Sequence, residues 1–533
     1  MKHMRLLATL LSLCLILSAC GGPAPQQGAA SAAPAQEEPK EDAGSTLVIA
    51  IQDEIEGCDV QQVGWANVVH DLIFEPLVVY NVDLDAINPS FAESYTATDE
   101  YLEFVLPADA RFSNGSVLDA AAVKASFERF LAISEYAEDL EVVSDIEAVD
   151  ARTVRFNLRS PAPYIWSDLA IMFGGIVDAA AAEQVGEWEF NKHPVGNGAY
   201  YVDEWVAGSH ITLKRNEYYR TSNPDVKNHG AAPFETVVVR FIPDGEERVN
   251  ALLSGDVDII YSVPPDSVAS LRGNPGVVTY DCQLTGVSFL NLQTNKGVLA
   301  DIRLRQALTY AVDRYAIRDA LDGVVTPTFC LLSDSQFGHS EAEEAKLAKE
   351  LAYDPARSRQ LLEEAGWRDS NGDGIVDKGG RELSMEMMIP SDSSTFRAAA
   401  PLLREQLAAV GIDAQIREEE ADYIKELMRE DDYTIGSRTY EWMDANILDM
   451  VFTEGSGYGW DDPELTKVLM EARQKTDMSE RVKAYELASD LLAQDFKAIS
   501  LYSDGIFIAT GSGIGGFVVC ADGRTWLSDV TKG

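Results

Sequence analysis

The chain has 533 residues, with 43 Lys+Arg against 87 Asp+Glu and a formal net charge of −44. A body this acidic repels nucleic acid and anionic lipid, so neither is an expected partner of it. Roughly 490 residues follow position 45, too many for one core, so two or three domains are expected.

Residues 1–19 open with Lys2 and Arg5, run apolar from Leu6 to Leu17 and close on small residues ahead of Cys20. This is the layout of a secretory signal, too short for a membrane span. Leu17-Ser18-Ala19-Cys20 resembles a bacterial lipobox, whose cysteine is acylated and becomes the mature N-terminus. An ordinary signal peptide cut near Ala19 is the alternative. Acyl chains contribute ~0.8 kcal/mol per buried methylene, so two or more hold a body at a membrane face. Loss of the signal leaves 41 basic against 87 acidic residues, a formal −46. Residues 20–45 are almost entirely Gly, Pro, Ala, Gln, Ser, Glu and Lys, a lipidated, flexible tether that cannot form a core. Order is expected from the strand-like run Thr46–Ile51. No later segment approaches eighteen consecutive apolar residues, so a soluble body is expected.

Further along, Asn114-Gly115 reads as a turn between Leu102–Leu106 and a helical pattern led by Asp119, with Val123, Phe127 and Phe130 on its apolar face. Asp301 is placed to cap a helix carrying Leu304, Ala307, Leu308 and Ala311. Asp354-Pro355 opens another, which Gly366 closes. Short strands alternate with such helices throughout, the pattern of mixed α/β lobes.

Patterns that carry chemistry are few. The six histidines stand in no metal-binding spacing, and neither a GxSxG elbow nor a GxxxxGK[ST] loop occurs. Gly511 to Gly516 matches GxGxxG but precedes a strand-like run rather than a helix, so it reads as a turn between strands. Asp369 to Asp377 sets oxygen side chains at positions one, three, five and nine of a calcium-type loop, with glycine at six. Gly380 replaces the glutamate required at twelve, so an Asx-rich turn is expected. Cys58, Cys282, Cys330 and Cys520 follow the tether at spacings that define no pairing, although export permits disulfides.

An ordered set of segments carries the functional reading. Phe74–Tyr80, Ile87–Tyr95, Arg111–Ser116, Pro194–Tyr200, Lys214–Tyr219, Leu253–Asp258, Asp301–Arg314, Tyr353–Pro355 and Leu361–Trp367 together resemble the peptide- and nickel-binding solute receptors of bacterial ABC importers, family 5. The resemblance implies an α/β, two-lobed periplasmic-binding-protein-like fold (type II, cluster C) with an additional domain and an interlobe ligand cleft. Carried over, residues 46–95, 185–285 and 501–533 form the first lobe, 96–184 the additional domain and 286–500 the second lobe. The implied function is capture by lobe closure and delivery to an ABC-importer permease. No reaction, cofactor or metal is called for, and the receptor is expected to be a monomeric cell-membrane lipoprotein on the extracellular face or in the periplasm. An exported hydrolase would need a nucleophile–base set, which is missing. A lipoprotein presenting ligand to a sensor remains as the reading from another class.

Glu418–Tyr423 and Arg438–Asn446 look most like the nickel-binding branch, in which an Arg-Thr-aromatic run leads to Asp-Pro-His. Here that place reads Asp444-Ala445-Asn446, and Ile171–Gly175 lacks the branch's carboxylate-clamping arginine. A small peptide or related solute is therefore the first expectation and a nickel or metal-chelate ligand the alternative. In peptide-binding relatives the matching aspartate accepts the ligand's α-amino group, the role implied for Asp444. The expected site sets Arg438, Tyr440, Trp442, Asp444 and Asn446 of the second lobe against Trp65 and Asn67 of the first. Tyr136 is added from the additional domain, with an ion pair or core packing as the alternative for Arg438, Tyr440 and Trp442.

Overall fold

The strand Thr46–Ile51 forms because its residues alternate between two cores. Leu47, Ile49 and Ile51 enter one apolar cluster and Ala50 another, as expected of a strand covered on both faces. Strands Thr236–Phe241 and Ile259–Ile260 pair with it in parallel on either side. The helix Gly245–Ser254 makes the crossover between those two strands. The computed structural model describes residues 46–84, 86–453, 456, 460 and 462–533. The expected signal, Cys20 and the tether lie outside the described residues.

A twelve-stranded mixed sheet runs through the molecule, and the fourteen-residue strand Ala498–Gly511 joins its two halves. Up to Asp504 this strand pairs with Gly286–Leu292 and Val325–Pro327. From Gly505 onward it pairs with Val277–Gln283 and Ile259–Ile260. The boundary expected at residue 501 thus falls inside one continuous strand. The chain crosses between the halves again at Leu284-Thr285, between the strands Val277–Gln283 and Gly286–Leu292. Glycine stands beside each crossing because the backbones come close. A Cβ on Gly286 would lie 1.9 Å from the Tyr440 carbonyl oxygen, and one on Gly505 2.4 Å from that of Val324. Gly286→Ala is therefore expected to lower stability by about 1–3 kcal/mol, the cost of overpacking. Thermal unfolding measures it, and an unchanged midpoint would contradict this backbone approach.

Residues 94–158 contribute a separate antiparallel sheet in the order Ser94–Ala97, Tyr101–Val105, Thr153–Leu158, Val143–Ala148. The helix Ala120–Ile133 buries Val123, Phe127 and Phe130 beside it. Asp119 caps this helix by accepting the Ala122 N–H at 3.0 Å. This domain also reaches the second half of the main sheet. Met443 enters its core, which also holds Tyr80 and Tyr164, and the Phe337 and Tyr80 rings meet edge-on at 5.8 Å. The Arg473 guanidinium lies 4.0 Å from the centre of the Tyr164 ring.

Other local readings meet the structure directly. Asp301 and Asp354 cap the helices Ile302–Ala311 and Pro355–Glu364, and Gly366 follows the second at φ +87°. In the calcium-like loop, Asp369 accepts the Gly372 and Gly374 N–H groups at 2.6 and 3.0 Å, and Asp377 accepts the Ser370 N–H at 2.9 Å. Its carboxylates therefore serve the turn's own backbone. The glycine-rich run turns between Ala498–Gly511 and Ile514–Gly515, which pairs with Thr531–Lys532. The four described cysteines are free thiols.

Candidate functional site: a cleft between the two halves of the sheet

A cavity of about 530 Å³ opens where the additional domain and both halves of the main sheet meet. Its wall takes Trp65, Asn67 and Asp71 from one segment, Tyr136 from the additional domain, Phe173 from the chain that follows its sheet, and Trp442 from the second half. Arg524 comes in from the C-terminal segment. A second cavity of about 750 Å³, lined in part by Arg438, Lys425 and Asp392, adjoins it. Gln52, Ser262, Glu441 and Ile506 border both.

Local structure explains why these side chains stand where they do. Asn67 caps the helix Val68–Ile73, accepting the Val69 N–H at 2.9 Å, while His70 Nδ1 accepts the Asn67 N–H at 3.2 Å. The opposite nitrogen of this neutral, buried ring meets the Gly57 carbonyl at 3.0 Å, and burial pushes the imidazole down to about 4. One helical turn after Asn67, Asp71 shares its face and so looks into the same cavity. The Tyr136 hydroxyl donates to the Gly64 carbonyl, and its ring lies 4.5 Å from that of Phe173. Trp442 is held at three points. Its indole N–H donates to Asn446 Oδ1 at 3.0 Å, its backbone N–H to Thr285 at 2.7 Å, and its carbonyl accepts from Gln336 at 2.9 Å.

Four of the expected ligand residues thus share one cavity: Trp65, Asn67, Tyr136 and Trp442. The other four are placed differently. Asp444 has no exposed surface and receives both guanidinium ends of Arg481, at 2.7 and 2.5 Å, so it cannot meet a ligand's ammonium in this conformation. Asn446 is buried and its side chain orients Trp442 instead of facing the cavity. Tyr440 is a core residue, its ring 5.8 Å from Phe289. The strand register is the reason, since alternate side chains leave opposite faces of Ile435–Glu441. Tyr440 therefore goes inward while Glu441 reaches the cavity. Arg438, half-buried on the same strand, lines the adjoining cavity.

Asp71, Phe173, Glu441 and Arg524 were not anticipated. The i, i+4 spacing of Asn67 and Asp71 was a legible signal for the first. No local pattern marks Arg524, which arrives from more than 400 positions away. Burial pushes the Asp71 carboxyl up to about 7 against the opposing charge of Arg524. Glu441 is solvent-reachable but walled in by the cleft, and that enclosure, with Asp504 nearby, raises it above the usual carboxylate range. Arg524 donates to Asp522 through Nε, and its Nη2 is buried without a hydrogen-bond partner.

The profile of the bacterial extracellular solute-binding proteins, family 5 Middle, matches residues 86–476. The oligopeptide-binding protein AppA of Bacillus subtilis (strain 168) is 24% identical over 537 residues, covering 96% of this chain and 95% of AppA. The nickel-binding periplasmic protein of Escherichia coli (strain K12) is 26% identical over 371 residues, covering 66% and 67%. Among solved structures, NikA from Brucella suis in complex with Fe(III)-EDTA superposes with a TM-score of 0.81 at 22% identity, over 92% of this chain and 100% of NikA.

Proposed function

The chain belongs to the bacterial extracellular solute-binding proteins, family 5, and from that premise we propose that it captures a small peptide or related solute in the cleft and delivers it, unaltered, to an ABC-importer permease. The observation that carries this reading is the cavity of about 530 Å³ walled by Trp65, Tyr136, Phe173 and Trp442. Its volume lies within the roughly 300–1,000 Å³ of small-molecule sites. Its aromatic faces accept varied side chains. The cleft has walls from both halves of the sheet, so closing them on a solute would tell a permease loaded from empty. AppA's name specifies oligopeptides, which favours the peptide reading.

The receptor acts as a monomer, held at the membrane by an acylated Cys20. A nickel or other metal chelate is the second reading. Tyr136 favours it, standing in the cleft where the nickel-branch resemblance expects an aromatic. Denaturing the purified chain and weighing what it releases tests both readings. A peptide supports the first and a metal chelate the second, whereas chemical turnover of the released compound by fresh protein would overturn solute capture.

A further inference from the structure

Beyond the two chain crossings, the second half of the sheet meets the additional domain across a seam. Thr285 and Ile506, beside the crossings, line the cavity, and so do Ser167 and Met443 at the seam. Two of the seam's contacts are apolar: Met443 in the additional domain's core, and Phe337 against Tyr80. The third is polar. Arg473, which follows the helix Pro463–Ala472, lays its guanidinium on the ring of Tyr164, a residue of that core. Its own half supplies Asp449 at 3.5 Å, a carboxyl whose buried oxygens have no hydrogen-bond partner. Across the seam, Asp139 and Asp168 feel Arg473 through charge. Arg481 relieves little of this, since Asp444 takes both of its guanidinium ends.

We propose that Arg473, set between Tyr164 and the carboxyls of Asp139, Asp168 and Asp449, is a latch that holds the cleft shut over its solute. This assignment rests on the solute-capture reading above and adds to it the control of closure. Rotation about the crossings would part the additional domain from the second half, drawing Tyr164 off Arg473 and wetting Asp168, which is 8% exposed. A guanidinium over a tyrosine face is held by the ring's quadrupole, more firmly out of water. The same guanidinium neutralises one carboxylate. The others are costly to bury in ionised form, so the shut seam favours their protonated state.

The latch therefore responds to pH. Asp139, Asp444 and Arg473 act on Asp168, which in turn acts on the Tyr80 and Tyr164 hydroxyls, while Glu138 and Glu141 act on Asp139. Burial raises Asp168 well above the ordinary carboxylate range and Asp139 to about 6. Parting the seam returns both to water, where an aspartic acid titrates near about 4. The shut form holds more protons than the open one. Closure is weakest above the raised values and strengthens as pH falls through them, by up to about tenfold per unit for each proton taken up.

The test compares the full parent chain with Asp168→Asn, which imitates the protonated carboxyl, and with Arg473→Gln. Small-angle X-ray scattering reads the radius of gyration of each unliganded chain at about pH 8 and about pH 5, and mass spectrometry reads the peptides each retains from casein hydrolysate. At the higher pH, Asp168→Asn is expected to have the smaller radius and to retain about tenfold more than the parent. Loss of a merely structural group would give no such gain. Lowering the pH should bring the parent's radius down to that of Asp168→Asn, while Arg473→Gln should keep a larger radius than the parent at the higher pH. Equal radii for parent and Asp168→Asn at the higher pH, or a parent radius that ignores pH, would overturn the latch and leave solute capture standing. The expected radii with no peptide retained by any chain would uphold the latch and count against peptide capture.

Discussion

Replacing Arg481 with methionine is expected to destabilise the fold by about 3–5 kcal/mol, because it strands the Asp444 carboxylate without its counter-charge in a site with no exposed surface. The loss extends to the cleft. Asp444 Oδ1 also accepts the Asn446 N–H at 2.8 Å, and Asn446 in turn holds the Trp442 indole. Denaturant unfolding measures the effect. The paired change Arg481→Met with Asp444→Leu should recover most of the stability, since an apolar pair of similar volume often replaces a buried ion pair at little cost. That double variant also separates two roles for Asp444. If the carboxylate served a ligand ammonium, the double variant would fold and fail to bind. If it serves only Arg481 and Asn446, binding survives, and that is the expected result.

Trp442→Ala should weaken binding of the co-purified solute by about 30-fold or more, corresponding to roughly 2 kcal/mol for a well-packed tryptophan contact. The indole reaches the cleft already fixed by Asn446, Thr285 and Gln336, so little freedom is lost when a ligand packs on it. Asn446→Ala should produce a milder loss, about 1 kcal/mol, by releasing one of those three restraints. Tyr440→Phe is the control. The Tyr440 hydroxyl is buried and has no hydrogen-bond partner, so its removal should leave affinity unchanged. Titration calorimetry distinguishes the three. A larger loss from Tyr440→Phe than from Trp442→Ala would mean that the strand presents its other face to the ligand.

Some of the cleft is legible in the sequence. Trp65, Asn67, Tyr136 and Trp442 were reached from resemblance and residue type, and each lines the same cavity. The helix caps Asp119, Asp301 and Asp354 were readable for a local reason, because an Asx side chain accepts an N–H only two or three residues on. Tyr440 misled because aromatic chemistry is the same on either face of a strand. Only pairing with Gly286–Leu292, which sets Tyr440 opposite Val287, decides that it points into the core. Asp444 misled for a related reason. Its role depends on a guanidinium 37 positions away, and nothing near residue 444 announces that partner.

Sequence alone determined the alternation of strands and helices, the turn chemistry of Asp369–Asp377, and the kinship that implied two lobes around a cleft. Each is a property of neighbouring residues or of their order along the chain. Tertiary structure decided which carboxylates are spent and which are available. Asp444 is consumed by Arg481 and Asp522 by Arg524, while Asp71 lines the cavity beside Arg524. A carboxylate's role follows from its distance to counter-charges and from the water it has lost, and both are set by chain segments that only folding brings together.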